Sequence, residues 1–136
     1  MRAVVSVLSN DATVSTLTGG QVFAGIEPPG KKVPYVVVST EDIDPNPSKS
    51  EVSTLDYYQV EVFSVSRKLY TDSDGTVGAY DLSEACRAAL DQQVQGLVSG
   101  QDIDRIDFES QNEYHDIEAN NVKHTVYQEY RVILKR

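Results

Sequence analysis

His115 and His124 stand among Glu113, Asp116, Glu118 and Lys123 in the stretch NEYHDIEANNVKH. Imidazole together with carboxylate is a ligand set for a divalent transition metal. If the intervening DIEANNVK holds a hairpin turn at Asn120 and Asn121, the two rings face each other across paired strands. The spacing matches no tight ligand motif, and surface histidines near turns are common. The sequence therefore assigns no metal and no cofactor.

The segment YTDSDGTVGAYD, Tyr70 to Asp81, tests for calcium: Asp72, Asp74 and Gly75 take the third, fifth and sixth positions of an EF-hand loop. The match fails at both ends. Tyr70 replaces the first carboxylate, Asp81 replaces the longer bidentate glutamate, and the preceding residues read as a strand rather than an entering helix. An Asp-Gly turn between strand and helix is the better reading. DIDPN, Asp42 to Asn46, is weaker still, because Pro47 occupies the glycine position. Cys86 shares a helical face with Leu82, Ala89 and Leu90, which makes it an inert buried thiol rather than a nucleophile. There is no nucleophile elbow, no GxxxxGK[ST] phosphate loop and no GxGxxG, so no catalytic residue is assigned. The eight tyrosines suit binding surfaces, but their default role is to pack a small sheet.

The elements that must position these residues follow from local chemistry. Val4, Val7 and Leu8 fall at helical spacing, Asn10 or Asp11 caps a second short turn through Leu17, and Gly19 and Gly20 end it. Gln21 to Ala24 and Pro34 to Thr40 read as strands, separated by a turn that Pro28, Pro29 and Gly30 force. Glu41 to Ser53, EDIDPNPSKSEVS, reads as a long polar loop, of the kind that is functional or mobile. In LDYYQVEVFSVS, Leu55 to Ser66, Tyr58, Val60 and Val62 share one strand face while Gln59 and Glu61 share the other. Leu82, Ala85, Cys86, Ala89 and Leu90 mark one face of a helix, with Ser83, Glu84, Arg87 and Asp91 opposite. Ile103 to Glu109 and Thr125 to Leu134 complete the strands, the last with Val126, Tyr130, Val132 and Leu134 on one face. The order predicts an α+β fold, a mainly antiparallel sheet with helices packed on one side, in one domain over residues 1–136.

The formal charge of −9 and pI near 4.5 argue against wrapping nucleic acid, which needs clustered Lys and Arg. Apolar runs are too short to cross a bilayer, the N-terminus lacks the apolar core of a secretory signal, and one cysteine excludes an intrachain disulfide. These features predict a cytosolic origin and no membrane partner.

Several stretches, taken in order, resemble the tail-completion proteins of tailed phages, which include the tail terminators of long non-contractile tails. They are LTGGQVFAGIEP after two short helices, VPYVVV, YYQVEVFS, the alanine-rich DLSEACRAAL, and the closing YQEYRV. The chain departs from short members by the TDSDGTVGAYD insertion and the acidic NEYHDIEANN turn. The resemblance implies a structural virion protein rather than an enzyme. It implies a homohexameric ring that ends the tail tube, touches the major tail tube protein and presents a surface to the head connector protein. It also implies a place in the virion tail after assembly in the host cytoplasm. Six copies at −9 each carry −54, so an acidic lumen would let DNA pass without specific binding. The loop from Glu41 to Ser53 is the expected assembly element, through Glu41, Asp42, Asp44, Asn46, Lys49 and Glu51. The alternatives are another head–tail joining component, a connector adaptor or stopper, or a small metal-dependent enzyme using His115 and His124.

Overall fold

Two short helices open the chain because a cap interrupts them. α1 (Arg2–Asn10) is followed by Asp11, whose carboxylate accepts the Val14 amide at 3.0 Å and starts α2 (Ala12–Thr18). Gly19, at φ 63°, ends α2 in the left-handed region, which a glycine adopts without a Cβ penalty. The chain continues as β1 (Val22–Ala24), β2 (Tyr35–Pro45), β3 (Leu55–Leu69), α3 (Ala79–Leu90), β4 (Gly96–Val98), β5 (Gln101–Ile117) and β6 (Asn121–Lys135). The computed structural model describes residues 2–26, 33–45, 55–69, 78–117 and 121–135.

The strands form a sheet in the order β1-β2-β3-β6-β5-β4. β1 lies parallel to β2 and every other neighbouring pair is antiparallel, so the sheet is mainly antiparallel but mixed. Its largest buried cluster joins Val4, Leu8 and Val14 to Leu82, Cys86 and Leu90 of α3. Alternate strand residues Val36, Val38, Val60, Val62, Tyr130 and Val132 complete it. The expected faces of β3, α3 and β6 are thus the ones that pack. A second cluster of Tyr35, Val37 and Val65, with Phe23 and Phe63 against it, uses the opposite parity of β2 and β3. Both faces of the Val36-Val37-Val38 run are therefore buried, which accounts for its unbroken apolar character.

Several boundaries differ from the sequence reading. The loop expected from Glu41 begins later, because β2 continues to Pro45 with Asp42 opposite Gln59, Ile43 opposite Tyr58 and Asp44 opposite Tyr57. A register shift between Thr40 and Asp42 admits this polar continuation. β1 pairs only as far as Val38, so beyond it this stretch of β2 pairs with β3 alone, a position that tolerates acids and proline. Residues 46–53 of that loop, the proline turn at 28–30 and the Asp-Gly turn at 72–75 lie outside the described residues. β4 was not legible, since three residues beginning at Gly96 are too few to show a period. Ser83 is buried rather than on the polar face of α3, and its hydroxyl donates to the Tyr80 carbonyl at 2.8 Å. Among the described residues no helix is long and apolar enough to cross a membrane.

Candidate functional site

The far end of the β5–β6 pair brings His115 directly opposite His124, Tyr114 opposite Thr125 and Glu113 opposite Val126. Strand alternation sends Glu113, His115 and His124 to one side of the sheet. The two imidazoles stack with centroids 4.3 Å apart and planes 9° from parallel. The Glu113 carboxylate lies 2.9 Å from His124 Nε2. From the first turn of α3, Tyr80 meets the His124 ring edge-on at 5.5 Å. Hydrogen bonds from His124, then from Tyr80, hold the Glu113 carboxyl below the usual carboxylate range, and the same contact with Glu113 raises the Tyr80 phenol. Asp116 pairs in register with Lys123 and falls on the other side, while Glu118 lies outside the described residues.

Cys86 is fully buried in the main cluster, with Ser64 Oγ at 3.9 Å. Burial pushes its thiol up to about 12, so almost no thiolate exists at neutral pH and nucleophilic chemistry is closed to it.

Sequence reasoning missed Gln128, which shares the apolar parity of β6 and is fully buried. Its amide donates to the Ser83 carbonyl at 3.1 Å and to Gln111 Oε1 at 3.0 Å, while its own oxygen accepts the Tyr130 hydroxyl at 2.9 Å. Burial raises the Tyr130 phenol well above its ordinary value. The signal in the sequence was a lone amide among apolar alternates, which only a tertiary partner explains.

The opposite parity of β3, β5 and β6 carries an aromatic row, with Phe63 and Tyr127 centroids 5.0 Å apart and Tyr114 6.4 Å beyond Tyr127. Tyr114 is half exposed. A shallow hollow of about 270 Å³ lies against Ile26, Val37, Phe63, Val65 and Thr125. Toward the β2 end, Tyr127 and Gln59 both donate to Glu129, at 2.6 and 2.9 Å. The expected assembly residues Glu41, Asp42 and Asp44 lie in the C-terminal part of β2, whereas Asn46, Lys49 and Glu51 fall outside the described residues.

The family model described as tail completion protein gp17 matches residues 2–134. Among solved structures, a chain of the virion of a native gene transfer agent particle aligns with a TM-score of 0.72 at 18% identity. The alignment covers 98% of this chain and 92% of that one, a likeness of fold. No curated protein matches the sequence.

Proposed function

The chain belongs to the tail completion protein gp17 family of phage structural tail proteins, and from that premise we propose that it forms a ring that ends the tail tube. The ring then offers its exposed side for head attachment. The observation that carries this reading is the extent of the family match, from residue 2 to 134, which takes in every described helix and strand except the last residue of β6.

In this proposal residues 1–136 act as one domain, and the three helices cover one side of the sheet. The main buried cluster supports that arrangement, since α1, α2 and α3 all contribute to it alongside the same strand parity. On the other side, past the second buried cluster, Tyr127 and the half-exposed Tyr114 are offered to neighbours. Aromatic side chains with a polar tip suit such contacts. Self-association gives a homohexamer; the major tail tube protein sits beneath it and the head connector protein above. The segment carrying Glu41, Asp42, Asp44, Asn46, Lys49 and Glu51 supplies contacts to a neighbouring subunit or the tube. DNA passes through without specific binding, and the protein works by shape rather than by catalysis. Its place is the virion tail, after assembly in the host cytoplasm.

Co-sedimentation with purified tail tubes tests this reading. The wild-type chain is expected to pellet with tubes, at about six copies per tube if the ring closes by cyclic symmetry. Replacing residues 46–50 with a Gly-Ser linker leaves β2 and β3 intact, and is expected to preserve the melting temperature while weakening tube binding. A folded wild-type chain that stays in the supernatant contradicts the proposal.

A further inference from the structure

We propose that Glu113, His115 and His124 form a binding site for one divalent transition-metal ion of the zinc type at the far end of the β5–β6 pair. The inference is independent of the tail reading and rests on geometry. One ligand atom from each of the three side chains lies within 4.8 Å of the others. Zinc bonds of about 2.0–2.1 Å in tetrahedral geometry separate donors by roughly 3.4 Å, so closure draws the donors in by little more than about 1 Å together with a rotation of the imidazole rings. The side chains have room for it, because Glu113 is 39% and His124 17% exposed.

The register supplies what the sequence alone left conditional. Directly opposed residues on an antiparallel pair bring their side chains together on one face, and here both are histidines. The two rings stack face to face beside the Glu113 carboxylate, and because an imidazole lone pair lies in its ring plane, binding one ion turns the rings out of the stack so that both nitrogens aim at it. Two neutral imidazoles and one carboxylate suit zinc, whereas magnesium prefers oxygen ligands alone.

A simple His–Glu ion pair is the competing account, and it engages two of the three residues. It pairs His124 with Glu113 and leaves out the stacked His115. A metal engages all three. Tyr80 adds outer support by packing edge-on to His124. Three protein ligands leave one coordination position open on the exposed side. The bound ion would tie the ends of β5 and β6 together.

The test is calorimetric titration of ZnCl2 into the untagged full chain, with MgCl2 as control, and CoCl2 absorption as a second readout. One zinc per chain, no magnesium response and the intense visible bands of four-coordinate cobalt are expected. His115→Ala and Glu113→Gln should each weaken zinc binding at least tenfold while leaving the metal-free melting curve unchanged. Absence of saturable zinc binding and of cobalt bands overturns the site. Unchanged affinity in a His115→Ala, His124→Ala double variant overturns it equally, by showing that the metal sits elsewhere.

Discussion

Leu90→Asp yields a chain without a cooperative thermal transition. Leu90 closes α3, is fully buried, and packs in the cluster that joins the helices to the sheet. Removing its side chain from that cluster forfeits about 1.5–3 kcal/mol of burial. The introduced carboxylate adds a desolvation cost of several kcal/mol because the side chains of that cluster are apolar. A further acid at a helix C-terminus also opposes the helix dipole, next to the existing Asp91. Together these rival the roughly 5–15 kcal/mol that hold a domain folded. Circular dichroism melting reads the effect, with Leu97→Asp as the control because Leu97 is 76% exposed. The control should melt close to wild type. A Leu90→Asp chain with an unchanged transition would mean that α3 does not dock as described.

Gln128→Leu lowers stability by about 2 kcal/mol, although it replaces a polar residue in the core with an apolar one of similar size. The loss comes from the partners. Tyr130 loses the acceptor for its buried hydroxyl and Gln111 loses a donor, while the Ser83 carbonyl gives up one of its bonds. A buried group stripped of its partner costs about 1–3 kcal/mol, whereas removing both partners together can be nearly neutral. The double variant Gln128→Leu, Tyr130→Phe should therefore recover much of the loss, and denaturant titration of the four proteins measures the coupling. Purely additive losses would show that Gln128 does not hold Tyr130.

What was legible in the sequence was local or periodic. The break between α1 and α2 could be read because Asp11 and Gly19 act on their own helix termini, with no distant partner required. The faces of β3, α3 and β6 that build the main cluster could be read because apolar residues recur on them at the strand or helix period. The distal half of β5 could not. From Glu109 to Ile117 its residues are intermediate or exposed throughout, so no alternation marks them, and only the backbone ladder to β6 makes them a strand. Ile117, 81% exposed, carries no burial signal at all. The histidine cluster was legible only on the condition of a hairpin between its members, and the register that puts His115 opposite His124 supplies that condition. Ser83 and Gln128 were hidden for the opposite reason: each looks like a surface residue, and each is buried beside a partner far away in the chain or within its own helix. The continuation of β2 through acidic residues to Pro45 likewise depends on its pairing with β3, which composition does not reveal.

The most direct test of the tail-completion account is electron microscopy of particles assembled with and without this chain. Without it, tails should be overlong or lack heads, and supplying the wild-type chain should restore tails of uniform length joined to heads. Uniform, head-bearing tails in its complete absence would contradict the account.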